Sequence, residues 1–258
     1  MAQRTGKTGE TEQGGLVGSD RVLAALGELA RRPAGIGLDE LARALESPKP
    51  TVHRALAALR RAGFATRNGR GFYQLGDEFI RLAFLNYEAR PDHLRVLPIL
   101  ERLAERYGET AHYAVLDERS VVYRSKVDPV SGAVKLTSTI GGRNPAHSTA
   151  VGKLLLSYRL TDDEAVAVWA ASGALFPCTG RTITAAADLA AELSLTRQRG
   201  YAIDDQENEP GVTCLAVPVY LSSPATPSGA ISISALAYRT RLQALVDDLS
   251  AIREIVAS

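Results

Sequence analysis

Residues 47–76 read SPKPTVHRALAALRRAGFATRNGRGFYQLG, and the fold turns on this stretch. Val52, Ala55, Leu56 and Leu59 recur at i, i+3, i+4 and i+7, the apolar stripe of a helix. Ser47 is placed to cap it. Pro48 and Pro50 fall in the first turn, where a missing N–H costs little, and Gly63 is placed to stop it. Two short apolar runs follow, 64–67 and 72–75, separated by Asn68-Gly69-Arg70-Gly71, which predicts a β-hairpin. Working upstream, Leu38, Leu41, Ala42 and Leu45 mark a second helix. Val22, Leu23, Leu26, Leu29 and Ala30 mark a third, capped by Ser19 or Asp20 and broken by Arg32-Pro33-Ala34-Gly35. Three short helices and a hairpin form the layout of a winged helix-turn-helix over residues 19–76.

Charge gives that layout a purpose. The whole chain of 258 residues carries a formal net charge of only +1. Between 47 and 76, however, the charged residues are Lys49, Arg54, Arg60, Arg61, Arg67 and Arg70, with no Asp or Glu, so this segment alone carries +6. A cationic patch on such a frame predicts binding to double-stranded DNA. With its apolar stripe packed inward, the helix that carries Val52 to Leu59, third in chain order, presents Lys49, Thr51, His53 and Arg54 to a major groove. Arg60 extends the basic face, and Arg67 and Arg70 on the hairpin reach backbone or minor groove.

Outside this segment the chain reads as α+β. Residues 1–18 are polar and glycine-rich, an expected disordered tail. Residues 77–91 predict a linker helix ending at Pro91. In 92–258, a helix to about 107 precedes strands expected at 111–116, 121–127, 134–140, 201–204, 213–220 and 230–236. Helices are expected near 149–157, 162–170 (Thr161 and Glu164 as a capping box) and 186–199, with a final one carrying Leu242 to Val256. The pattern implies a largely antiparallel sheet.

Other functions leave little trace. The cysteines are Cys178 and Cys214, too few for a disulfide framework, and no secretory leader or apolar run of membrane-spanning length occurs; a cytoplasmic protein with no membrane association is expected. There is no nucleophile elbow. Gly152-Lys153 resembles a phosphate loop, but His147 stands where its first glycine belongs and Leu154 where Ser or Thr belongs. No catalytic residue and no cofactor is expected. His53, His93, His112 and His147 lack ligand spacing; Asp204, Asp205, Glu207 and Glu209 offer oxygen for a hard cation without the glycine of a calcium loop. The expectation is no metal, with a metal-responsive regulator as the alternative and an enzyme after it.

The chain resembles the isocitrate lyase regulator (IclR) family of bacterial transcription factors. The resemblance is carried by SDRVLAALGEL, GLDELARAL, PKPTVHRALAALRRAGF and GFYQLG, then by IGGRNPAHSTAVGKLLLS, RGYAIDDQENEPGVTCLAVPVY and GAISISAL, and covers 19 to 256. It implies a winged-helix domain, a linker helix that helps dimerise, and a GAF-like effector domain. It also implies a homodimer or dimer-of-dimers tetramer acting on an operator, repression of a metabolic or catabolic operon, and a small organic- or aromatic-acid effector. By motif position, the effector pocket falls on Ala150, Val151, Asp204, Val212, Cys214, Ser232 and Ser234. Alternation does place Ser232 and Ser234 on one strand face, and Cys214 with Ala216 and Pro218 on another. From residue type alone, Asp204 equally suits a loop cap, the serines suit backbone satisfaction, and Cys214 and Val212 suit core. Two departures stand in the helix-turn-helix: Glu46-Ser47 where family members often have Gly-Leu, and Pro50 where they often have Ser.

Overall fold

The computed structural model describes residues 18–130 and 136–258. The expected tail falls almost wholly outside them, as does the first part of the strand expected at 134–140. The described chain divides into two compact units, 18–88 and 89–258.

The first unit holds helices α1 (Gly18–Arg31), α2 (Leu38–Ala44) and α3 (Lys49–Arg61), the hairpin strands β1 (Ala65–Arg67) and β2 (Tyr73–Leu75), and α4 (Asp77–Glu88). The α3 stripe Val52, Ala55, Leu56 and Leu59 is buried as expected, together with Leu41 of α2, Ile36 and Tyr73, but on α1 the buried residues are Ala25 and Leu29, while Leu23 and Ala30 of the expected stripe are exposed. Fully burying Leu56 contributes about 2–3 kcal/mol.

Both helices of the helix-turn-helix end in the same device. At α3, Phe64 N–H donates to Leu59 O at 2.8 Å and Gly63 N–H to Arg60 O at 3.1 Å, with Gly63 at φ 74°. At α2, Ser47 N–H donates to Ala42 O at 3.0 Å and Glu46 N–H to Arg43 O at 3.1 Å. These paired bonds define a Schellman ending, whose left-handed residue is normally glycine. At α2 that residue is Glu46, at φ 46°. The left-handed ending that glycine normally makes is thus kept here with a side chain present.

Several caps differ from expectation. Ser47 does not cap α3: the N-cap is Pro48, without a side-chain bond, and Ser47 Oγ instead donates to Leu45 O and accepts from Arg21 Nε. Helix α1 already includes Ser19 and Asp20, so neither precedes it. The hairpin loop is clamped by Asn68, whose Oδ1 accepts from the N–H groups of Arg70 and Phe72. No side chain of α4 is buried; Ile80, Leu82, Phe84 and Leu85 are exposed.

The second unit begins with α5 (Pro91–Tyr107) and builds a six-stranded sheet from β3 (Thr110–Asp117), β4 (Ser120–Val127), β5 (Arg143–Pro145), β6 (Ala202–Asp205), β7 (Val212–Val219) and β8 (Gly229–Leu236). The order is β5-β4-β3-β8-β7-β6, antiparallel throughout. One face packs on α5 and on α9 (Leu242–Asp247) and α10 (Leu249–Ala257), through Leu100, Leu103, Tyr113, Leu215, Ile231 and Ile233. The other packs on α6 (Ala150–Arg159), α7 (Asp163–Ala171) and α8 (Ala186–Arg199), through Ala114, Leu154, Leu189, Leu193 and Ala216.

Here too some expectations fail. Residues 136–140 are not a strand; pairing falls instead on β5, followed by a single 3₁₀ turn at Ala146–Ser148. Thr161 is not a cap: Asp162 is, its Oδ1 accepting from Ala165 N–H at 2.8 Å, because a carboxylate is the stronger acceptor for a free helix amide. The final helix is broken at Asp248 into α9 and α10.

Candidate functional site

In the first unit, α3 projects Lys49, His53, Arg54 and Arg60 outward, all exposed, with Thr51 half-exposed in the first turn. Arg60 at the end of α3 and Arg67, Arg70 on the hairpin line one open hollow, so the helix end and the loop form a single basic surface. Two of these cations have partners. Lys49 Nζ lies 2.9 Å from Asp39 of α2, a neutralisation invisible from residues 47–76 alone. Arg67 stacks over the Tyr73 ring at 5.5 Å and donates to Gly71 O. The Lys49–Asp39 pair is exposed and therefore weak enough to exchange for phosphate, and the exposed Arg67 guanidinium, though its ring partner is buried, is open on its other side. Arg54 makes only a long bond to Pro50 O, 3.4 Å.

In the second unit, the sheet face toward α6 carries a row of small and polar side chains in register. Asp204 of β6 faces Cys214 of β7, and Cys214 faces Ser234 of β8. His112 of β3 faces Ser232 of β8. Above this row, Thr149 caps α6 by accepting from Gly152 N–H. Gly152 is obligatory there, because a Cβ would stand 2.2 Å from Ala146 O. Between row and helix start lies a cavity of about 500 Å³, within the range of small-molecule sites. Ala150, Val151, Asp204, Val212, Cys214, Ser232 and Ser234 all line it. The sequence missed His112, Tyr123, Asn144, Asn208, Glu209 and Cys178, which also line it.

Its chemistry is that of a polar, hydrogen-bonding pocket. The Cys214 thiol donates to Ser234 Oγ at 3.1 Å, and Ser234 in turn bonds His112 Nδ1 at 3.3 Å, while His112 Nε2 bonds Ser138 Oγ at 2.8 Å. Burial, aided by the nearby Lys126 ammonium, drives the His112 pKa down to about 3, so its ring is neutral at physiological pH. Burial likewise pushes the Cys214 thiol well up, which makes it an inert donor rather than a nucleophile. Asp204 both caps and lines: its Oδ1 accepts from Glu207 N–H at 2.7 Å and from Asn208 N–H at 3.4 Å. Burial nevertheless raises its pKa to about 7, against the lowering effect of those bonds. Arg143 lines the cavity but is ion-paired with Asp117. Among the described residues no group of three His, Cys, Asp or Glu is gathered as for a metal ion, and no helix is long and apolar enough to cross a membrane.

Two family models match this architecture unit by unit. Residues 19–69 match the IclR helix-turn-helix domain and residues 94–257 the bacterial transcriptional regulator IclR C-terminal domain. The chain belongs to the IclR family of transcriptional regulators. Similar proteins include the HTH-type transcriptional regulator KdgR of Dickeya chrysanthemi, 35% identical over 207 residues. That match covers 77% of this chain and 63% of the relative's length, under two thirds. The transcriptional repressor IclR of Escherichia coli is 30% identical over 217 residues, covering 83% of this chain and 78% of that one. An IclR homolog from Microbacterium hydrocarbonoxydans, solved in complex with 4-hydroxybenzoate, shares the fold at a TM-score of 0.74 and 22% identity, over 91% of this chain and 97% of that one. As an IclR-family member the chain is a DNA-binding transcription regulator with a C-terminal ligand-binding domain, and the matched families and relatives are regulators rather than enzymes.

Proposed function

We propose that this regulator is an effector-responsive repressor of a metabolic or catabolic operon, acting in the cytoplasm as a homodimer or a dimer of dimers. Lys49, Thr51, His53 and Arg54 face the major groove of an operator half-site, and Arg60, Arg67 and Arg70 hold the flanking phosphates. The unpartnered apolar side chains of α4, Phe84 and Leu85 foremost, support its role as the dimerising linker over 77–91, between a DNA-binding domain at 19–76 and an effector domain from 92.

The effector is a small organic or aromatic acid. One observation carries this reading: the seven motif positions, drawn from four separate elements and their flanks, converge on one polar cavity. The start of α6 offers amides and the positive end of its dipole to a carboxylate, and the small Ala150 and Val151 let it approach. The serines and Asp204 then serve a hydroxyl or keto group at the other end. The 4-hydroxybenzoate bound by the structural neighbour has this bifunctional character. Binding alters repression only by favouring one arrangement of the DNA-binding heads over another.

The test is fluorescence anisotropy of labelled duplexes from the intergenic region beside the chain's own gene, repeated with 4-hydroxybenzoate and small hydroxy- and keto-acids. Binding in low salt that one acid releases supports the reading. Indifference to every such duplex, without any acid present, would remove it.

A further inference from the structure

A second cavity, of about 700 Å³, lies in the same unit along the outer edge of β7, walled by α5 and α10. Its origin is topological. Strand β6 covers β7 only as far as Ala216, the partner of Ala202, so the edge at 217–219 has no strand beside it. That edge is closed to a further strand. Val219 turns its carbonyl toward β8, where it accepts from Ser228 N–H, so alternation turns Pro218 to the open side, and proline has no N–H to offer. The gap calls for a ligand of another kind.

The lining states which. Arg95 and Arg253 both line it, and no acidic side chain does. Arg95 donates to Leu221 O at 2.8 Å; Arg253 donates to the carbonyls of Arg199 and Gly200 at 3.0 and 3.1 Å. These bonds fix both guanidiniums without neutralising them, and among the described residues neither has a carboxylate within ion-pair distance. Ile99, Val219 and Val256 supply an apolar wall. Tyr158 and Tyr220, joined hydroxyl to hydroxyl at 2.9 Å, supply a polar and aromatic rim. We propose that this cavity is a second ligand site, which takes an amphipathic organic anion with its carboxylate or sulfonate at Arg95 and Arg253 and its apolar body on Ile99, Val219 and Val256. It shares no lining residue with the cavity at α6, so it stands whether or not that cavity binds the effector.

The probe is 8-anilinonaphthalene-1-sulfonate, titrated into the full chain by equilibrium dialysis. One saturable equivalent per chain is expected. Its affinity should fall by about tenfold or more in Arg95→Ala/Arg253→Ala, because the charge-assisted contacts are lost. It should fall as far in Ala257→Trp, where an indole on an exposed position of α10 fills the space. If the arginine variant does not fold, Ala257→Trp alone decides. Absence of saturable binding to the wild-type chain, or unchanged affinity in either folded variant, overturns the site.

Discussion

Lys153 of α6 and Glu207 of the loop between β6 and β7 form a buried ion pair, Nζ to Oε1 2.5 Å, that ties the helix over the cavity to the strand end carrying Asp204. Glu192 of α8 stands behind it, 3.5 Å from Lys153 and 2.7 Å from Arg199. Glu207 is held by more than this one bond, since its carbonyl accepts from the hydroxyls of Thr179 and Thr182. Its Oε2, however, is buried without a partner. Burial raises the Glu207 pKa, with the Lys153 ammonium opposing that rise.

Removing the ammonium should therefore be costly. Lys153→Met leaves the buried Glu207 carboxylate without its cation, while Glu192 keeps Arg199, and about 3–5 kcal/mol of stability should be lost from the second unit. Adding Glu207→Gln should restore part of it, because no uncompensated charge then faces the gap. Urea unfolding followed by far-UV circular dichroism measures both. Equal loss in the single and double variants would show that the pair acts by packing alone.

The paired helix endings of the first unit make opposite predictions at two positions. Gly63 at φ 74° has no room for a side chain, since a Cβ would meet Glu78 Cβ at 2.9 Å. Gly63→Ala should cost about 1–2 kcal/mol from the left-handed conformation and the clash. Glu46 already bears that conformational cost at φ 46° and is exposed, so Glu46→Gly should stabilise the unit by about 0.5–1 kcal/mol. Thermal melts of the isolated substitutions check the two signs. A destabilised Glu46→Gly would mean that the Glu46 side chain has a role beyond the backbone.

The winged helix was legible because its signals are local. The stripe of α3, the stop at Gly63 and the turn at Asn68 each lie within a few residues of what they control. Two caps missed by one residue, Asp162 for Thr161 and Pro48 for Ser47, but the larger failures were set by distant partners. The helix break at Asp248 has no local cause in the run of leucines around it; its carboxylate is taken by Tyr107 hydroxyl and Arg106 of α5, at 2.7 and 3.0 Å. Strand β5 is three residues long and includes a proline, so no alternation announces it. The same division runs through the candidate site. His112 looked like one of four scattered histidines because its partners, Ser138 and Ser234, are 26 and 122 residues away. The family motifs supplied residues that residue type alone left ambiguous. For Asp204 the two readings do not exclude each other, since it caps its loop and lines the cavity at once.

For DNA, the prediction separates base contact from phosphate contact. Arg54 is exposed on α3 with only a long bond to Pro50 O, and so is free to reach a base edge. Arg54→Ala should weaken operator binding by about 1–3 kcal/mol and relax specificity at one position, with effector binding intact. Replacing Arg60, Arg67 and Arg70 together by Gln should instead weaken all duplexes and reduce the salt dependence by about 3 in log–log slope. Anisotropy titrations across a salt series distinguish the two. An unchanged slope in the triple variant would place the hairpin away from the backbone.

Asp204 has its pKa raised to about 7 from an ordinary 3.8, chiefly by burial. Between these values the folded chain holds a proton that the unfolded chain has released, so stability from this group is complete below about pH 4 and is lost as pH rises through about 7. Asp204→Asn, which cannot ionise, should flatten that part of the stability profile and be the more stable form at pH 8. The same proton governs the cavity. With His112 neutral and Arg143 paired, an ionised Asp204 adds a like charge to the cavity that takes the acid, whereas the protonated carboxyl can donate a hydrogen bond to the effector's hydroxyl or keto oxygen. An organic acid should therefore bind more tightly at pH 6 than at pH 8 in the wild-type chain, and nearly equally at both in Asp204→Asn. Calorimetric titration with 4-hydroxybenzoate or the acid found active on DNA release provides the measurement. Tighter binding at pH 8 would mean that the ionised Asp204 accepts from the effector's hydroxyl, and that this bond outweighs the repulsion between the two negative charges.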